Sequence, residues 1–93
     1  MSLPHIDYEK FMAGTATQVK INRFKNTAKD EGKPLELWGL ILGRPFGNLM
    51  ASIEDRRLDE IEAYVFQVSA VLAEIYGQVQ ESRKIGSAKR GNI

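Results

Sequence analysis

The residue types that carry most enzyme chemistry are nearly missing from this chain of 93 residues. It has no cysteine and a single histidine, His5. The lack of cysteine excludes a thiol nucleophile, a disulfide, iron–sulfur ligation and a zinc site built with cysteine. One histidine cannot supply a His-x-x-x-His metal pair, and neither Gly-x-Ser-x-Gly nor Gly-x-Gly-x-x-Gly occurs. We therefore expect a protein that is not an enzyme and has no metal and no cofactor.

The basic residues are the next candidates for a function. The net charge is only +1, but residues 35–82 hold three bases and eight acids, whereas residues 83–93 hold four bases and no acid. Basic side chains of this kind can lie along a phosphate backbone. The alternative is a solvated, flexible basic tail, residues 86–93, that keeps an acidic domain soluble. The candidate nucleic-acid contacts are Lys25, Lys29, Lys33, Arg83, Lys84, Lys89 and Arg90.

The composition is that of one ordinary globular domain, with 43% apolar and 27% charged residues. We assign it to residues 1–82. The first residues lack the basic start and apolar run of a signal peptide. The longest apolar stretches, 37–43 and 63–73, are well short of the ~20 residues that cross a bilayer. We expect no membrane association and a cytoplasmic location.

A long C-terminal helix is the strongest structural signal. Seven apolar residues alternate at spacings of three and four, the a/d pattern of a helix that packs along one line. We place this dimerisation helix at residues 48–85, with Asn48 or Ser52 as its cap and Gly86 just beyond its end. The seven residues are Leu58, Ile61, Val65, Val68, Leu72, Ile75 and Val79.

A second stripe of small and apolar residues follows the same helix: Ala63, Phe66, Ala70, Ala73 and Gly77. A helix that is apolar on most of its circumference must be surrounded by other elements. A helix of ~33 residues is ~50 Å long, which short segments can cover only in part. We therefore expect a homodimer in which a second copy of the helix covers the seven residues of the a/d pattern.

The N-terminal part, residues 1–47, is expected to contain short elements. A short helix is predicted at 7–12, ended by Gly14, and a second helix at 16–31. The alternative to the second helix is a β-hairpin that pairs residues 18–24 with residues 35–42. Residues 44–48, which include Pro45, are predicted to break the chain. The expected fold is all-α, a long C-terminal helix packed with two or three short helices and completed by dimerisation, or α+β if the hairpin forms.

Three aromatic residues are the candidate partner contacts: Trp38, Phe46 and Phe66. Tryptophan is over-represented among interface hot spots, although a lone tryptophan in an apolar run is also typical of a core. The expected function is that of a small helical protein that homodimerises and binds a protein partner, acting as an adaptor, inhibitor or regulator by occlusion.

The segment from Phe24 to Gly43 resembles the helix-turn-helix of bacterial and phage regulators. Ala28, Gly32, Trp38 and Ile41 match the small residue, the turn glycine and the apolar positions of that motif. The resemblance implies a dimeric DNA-binding regulator that uses residues 24–43 and the basic tail. The positions that would face the DNA groove offer no Arg, Lys, Asn or Gln for hydrogen bonds to base edges; they are Pro34, Leu35, Glu36, Gly39 and Leu40.

Overall fold

A computed structural model describes residues 2–91, with the backbone alone for residues 27–30 and 86–91. It contains three helices: α1 (Tyr8–Asp30), α2 (Leu35–Glu54) and α3 (Leu58–Gly91). The described residues include no strand. The all-α prediction is confirmed, and the hairpin between 18–24 and 35–42 is wrong because both segments are helical.

The first helix is longer than predicted because it passes through Gly14. It begins where the carboxylate of Asp7 accepts a hydrogen bond from the backbone N–H of Lys10 (3.1 Å), a typical N-cap. Gly14 does not end it. Instead, Gly14 lies where α1 approaches α3 so closely that a Cβ atom would overlap the ring of Phe66. The chain then turns at Gly32, whose φ of +73° is readily available to glycine.

The second helix continues through Pro45, where we expected a break. Proline lacks the N–H of an interior helical hydrogen bond, so packing must compensate. Pro45 belongs to a row at spacings of four and three that is buried or half-buried, whereas most of α2 is exposed. The row is Trp38, Leu42, Pro45, Leu49 and Ser52. It faces α3, and this tertiary packing holds the proline within the helix.

The predicted start of the long helix at residue 48 is wrong, since residues 48–54 belong to α2. The chain turns back between the two helices at Arg56, which has a φ of 54°. The N–H of Arg57 bonds to the carbonyl of Ser52, and that of Arg56 to the carbonyl of Ile53, both at 3.1 Å. This is a Schellman motif. It was not predicted because Arg56 occupies a position that usually requires glycine, at a cost of roughly 1–2 kcal/mol.

The helical backbone of α3 continues beyond the predicted end at residue 85, as far as Gly91. Gly86 is therefore an interior residue of the helix. The side chains of the predicted basic tail, residues 86–93, lie outside the described part of the structure.

α3 lies between α1 and α2, an arrangement called here the layer. Contacts between α1 and α3 join residues of rising number in both helices, so these two run parallel, whereas α2 returns antiparallel to α3. Both α1 and α2 pack against α3, whereas no described Cα atom of α1 lies within 8 Å of one in α2. The molecule measures 54 × 34 × 21 Å. Since a helix with its side chains is about 10–12 Å across, the smallest dimension corresponds to about two helix diameters.

The core of this layer is small. Among the described residues, the buried apolar side chains are Trp38, Ala70 and Val71. Ser52 is also buried and donates a hydrogen bond to the carbonyl of Asn48 (3.0 Å). Ala70 belongs to the second stripe of α3, whereas none of the seven a/d residues of that helix, called from here on the α3 seam, is fully buried.

Three contacts fasten α1 to α3. The rings of Phe11 and Phe66 lie 6.1 Å apart. The hydroxyls of Thr15 and Ser69 form a hydrogen bond of 2.7 Å. Further along, the Arg23 guanidinium donates two hydrogen bonds, of 2.9 and 2.7 Å, to the carboxylate of Glu74.

Candidate interaction surfaces

Two hollows lie beside α3. A groove lies between α1 and α2, with α3 as its floor. On α1 it is lined by Gln18, Asn22 and Asn26, whereas the other hollow is lined by Met12, Ala16, Val19 and Lys20. Because a helix turns by about 100° per residue, the two sets overlap on α1, where Val19 and Asn26, seven residues apart, lie on nearly the same face.

The groove is polar along α1 and apolar along α2. Its volume is about 350 Å³. The amide of Gln18 donates a hydrogen bond of 2.9 Å to Asn22, and Asn26 continues the same row. The opposite wall is formed by Trp38, Ile41 and Pro45, and the floor by Gln67, Ala70, Val71 and Glu74. The three amides recur at a spacing of four in the sequence, which places them along one face of a helix.

Trp38 is only 6% exposed and belongs to the core, so it is not the exposed anchor expected of a partner-binding residue. The ammonium of Lys33 lies over its ring, 5.0 Å from the centroid, in cation–π geometry. The indole Nε1 is buried and has no hydrogen-bond acceptor. An unsatisfied buried donor costs about 1–3 kcal/mol, so the Trp38 side chain contributes to the core through its ring and not through its N–H.

Phe66 is likewise used within the chain, since it packs against Phe11 and Gly14. Of the three aromatic residues selected from the sequence, Phe46 is the accessible one, with 52% of its surface exposed.

The α3 seam is not buried within a single copy of the chain. Leu58 and Leu72 are exposed, and the other five residues of the seam are half-buried. Leu58, Val65 and Leu72 lie on the opposite side of α3 from the groove residues Ala70 and Glu74, by the same count of 100° per residue.

Exposed apolar side chains of α2 lie on the same side of the layer as Leu58, Val65 and Leu72 of the α3 seam. In α2, Ile41 lies on one side of the row that faces α3 (Trp38, Leu42, Pro45, Leu49 and Ser52), and it lines the groove. A second set of apolar side chains lies on the other side of that row and points away from the groove. Its exposed members are Leu35, Phe46, Met50 and Ile53. With the α3 seam, they make up what is called here the apolar face.

The second hollow, called here the concavity, lies between α1 and Ala73 of α3. Its volume is about 470 Å³. The lining is formed mainly by apolar and small side chains: Phe11, Met12, Thr15, Ala16, Val19, Lys20, Arg23 and Ala73. The hydrogen bonds to Glu74, and then the attraction of its charge, raise the pKa of Arg23, so this pair persists until strongly alkaline pH. Because Arg23 is largely exposed, the pair contributes at most about 1 kcal/mol.

Three of the candidate nucleic-acid contacts lie toward the C-terminal ends of two parallel helices. Lys25 is exposed near the end of α1, and Arg83 and Lys84 are exposed near the end of α3, which runs parallel to α1. Lys33 is half-buried over Trp38. The side chains of Lys29, Lys89 and Arg90 lie outside the described residues. The helix order required by a helix-turn-helix is present, but α1 and α2 do not pack against each other where they are described.

Neither a metal cluster nor a membrane span is found in the described part of the chain. No group of three or more His, Asp or Glu residues there could hold a metal ion. No described helix is both long enough and apolar enough to cross a bilayer.

No protein-family model matches the chain, and no curated protein or solved structure shows significant similarity to it.

Proposed function

We propose that this protein is a non-enzymatic helical interaction protein that homodimerises through the α3 seam and presents its other surfaces to a protein partner. The observation that carries the proposal is the small core of one copy. Among the described residues, the buried apolar side chains are Trp38, Ala70 and Val71, whereas Leu58 and Leu72 of the α3 seam are exposed. A second copy on the α3 seam would cover these leucines and enlarge the core.

The surface area supports this proposal. The chain exposes 7874 Å², whereas a folded monomer of 10.5 kDa exposes roughly 5,400 Å². The radius of gyration, 16.2 Å, also exceeds the value of about 12 Å for a compact domain of this length. The excess area of about 2,400 Å² is more than the ~800 Å² that each partner buries in a standard interface.

Equilibrium unfolding at two protein concentrations tests the proposal. Because a dimer unfolds to two separate chains, a hundredfold increase in concentration should shift the midpoint to a higher denaturant concentration, equivalent to about 2.7 kcal/mol per dimer. Circular dichroism at 222 nm measures the midpoint. A midpoint that does not depend on concentration, in a chain that keeps its helical signal, would contradict dimerisation.

A second candidate function is DNA binding by the basic C-terminal parts of α1 and α3, favoured by the exposure of Lys25, Arg83 and Lys84 on these two parallel helices. If it holds, a labelled duplex should bind at micromolar concentration, and binding should weaken steeply with salt. Changing Lys25, Arg83 and Lys84 to Gln together should reduce the slope of log K against log salt by up to about three. The control is Lys10→Gln, at the opposite end of α1. No binding at low salt would exclude this candidate.

A further inference from the structure

We infer that the two α3 helices of the proposed dimer run antiparallel, so that Glu62 of each copy lies beside Arg83 of the other. This inference rests on the proposed dimer and specifies what covers the α3 seam, namely a second copy of the chain in one orientation. It follows from the charged side chains on the uncovered side of α3.

The side of α3 that one copy leaves uncovered is apolar along most of its length. Leu72 and Tyr76 are 48% and 61% exposed, and Leu58, at the start of the helix, is 77% exposed. Because a helix turns by about 100° per residue, Leu58 and Tyr76 both lie within about 40° of Leu72 around the axis. A second copy on the α3 seam therefore covers all three side chains.

Two residues of opposite charge lie toward the two ends of this uncovered side. Glu62 and Arg83 are both exposed. By the same count, Arg83 lies about 20° from Leu72 around α3, and Glu62 about 40° from Tyr76. Among the described residues of one copy, neither Glu62 nor Arg83 forms an ion pair. A second copy can therefore neutralise both charges.

The spacing of the two charges distinguishes the possible orientations. Glu62 and Arg83 are about 31 Å apart along the axis, at a rise of 1.5 Å per residue, and Leu72 lies midway between them. In an antiparallel pair whose two-fold axis passes near Leu72, Glu62 of each copy is level with Arg83 of the other, and this contact occurs twice. In a parallel pair, Glu62 would lie opposite Glu62 and Arg83 opposite Arg83.

The charges and the helix dipoles both favour the antiparallel pair. Opposite charges attract and like charges repel, and both effects grow when contact with the second copy excludes water. Asp59 and Glu60 in the first turn of α3 add to its acidic end. Exposed Lys84 adds to its basic end. Antiparallel neighbours also place the positive end of one helix dipole beside the negative end of the other.

The apolar residues of α2 support the same orientation. When two copies stack on their apolar faces with α3 antiparallel, α2 of each copy lies on α2 of the other. The exposed apolar side chains of α2 then cover one another; they are Leu35, Phe46, Met50 and Ile53. The chain exposes about 2,400 Å² more than a compact monomer of its mass, which is enough for a stable homodimer.

Charge reversal tests the pair. Glu62→Lys and Arg83→Glu each place like charges together at both ends of the antiparallel dimer. Each should raise the dimer dissociation constant about tenfold in sedimentation equilibrium at low ionic strength. The double variant restores opposite charges and should return the constant to within about threefold of the wild-type value. Losses of helix stability would add in the double variant, so they cannot produce this recovery.

The matched control is Glu81→Lys, which makes the same change of charge on the same helix. Glu81 is exposed and lies about 180° from Leu72, on the opposite side of α3. This variant should leave the dissociation constant unchanged.

Cross-linking tests the orientation independently. Because the chain has no cysteine, introduced thiols are the only ones present. A mixture of Glu62→Cys and Arg83→Cys should give a mixed dimer with a short bismaleimide. Each variant alone should give none, because its two thiols lie about 31 Å apart in the antiparallel dimer. In a parallel dimer, each variant alone would cross-link.

The results separate this inference from the proposed dimer. A wild-type protein that is monomeric would overturn both. A dimer in which the double charge reversal binds no more tightly than the single ones, or in which either cysteine variant cross-links alone, would overturn the antiparallel orientation and leave the dimer. Equal weakening by Glu81→Lys would show an effect of net charge alone and would also overturn the pairing.

Discussion

Leu72→Asp is expected to convert the protein from a dimer into a monomer. Leu72 is 48% exposed in a single copy and lies near the middle of the α3 seam, where the proposed second copy covers it. The two-fold symmetry places two new carboxylates in one apolar interface. Burying an uncompensated charge costs several kcal/mol. The dissociation constant should therefore rise by a factor on the order of a thousand or more.

The control for this prediction is Leu40→Asp. Leu40 is more exposed than Leu72, at 75%, but lies on the side of α2 that faces away from α3. This change should leave the dimer intact, because the side chain remains in solvent. Analytical ultracentrifugation of the two variants at equal concentration makes the comparison. Loss of the dimer in both variants, or in neither, would contradict the assignment of the α3 seam as the interface.

Trp38→Ala is expected to be the most destabilising single change within the chain. Trp38 is the largest of the few buried apolar side chains among the described residues, and it packs at the junction of α2 and α3. Replacing a buried tryptophan by alanine costs about 3–5 kcal/mol. That is a large fraction of the 5–15 kcal/mol that stabilises a typical domain. Urea denaturation followed by circular dichroism measures the loss.

Trp38→Phe distinguishes the contribution of the apolar ring to stability from that of the indole N–H group. It keeps most of the apolar volume and removes a buried donor that has no acceptor. Removing an unsatisfied group offsets part of the lost packing, so the cost should be well below that of Trp38→Ala. A cost as large as that of Trp38→Ala would show that the indole nitrogen has a role that the structure does not reveal.

The long helix could be predicted from the sequence because its signal repeats. Seven apolar residues at regular spacing identify α3, and the second stripe predicts that α3 is surrounded by other helices. Which stripe the chain itself uses could not be predicted, since both have helical periodicity. Within one copy, the fully buried residues in the described part of α3 are Ala70, from the second stripe, and Val71, from neither stripe.

The boundaries of the helices were predicted less well, for identifiable physical reasons. Proline usually breaks a helix and glycine often ends one, yet Pro45 and Gly14 lie within helices because tertiary packing favours them there. Conversely, the turn at Arg56 contains neither proline nor glycine. It forms because the Schellman hydrogen bonds and the return of α2 onto α3 outweigh the cost of a left-handed arginine.

Of the candidate interaction surfaces, one could likewise be predicted from the sequence and the other could not. The residues of the α3 seam follow from periodicity alone. The concavity depends on how α1 is placed beside α3, which is set by contacts between residues more than fifty positions apart, such as Thr15 with Ser69. No local pattern encodes that placement.

The mass of the wild-type protein in solution tests the account most directly. Light scattering coupled to size exclusion should give about 21 kDa at micromolar concentration, twice the 10.5 kDa of one chain. A helical species of about 10.5 kDa that persists at tens of micromolar would show that a single layer is stable alone, and would contradict the proposal that a second copy completes the fold.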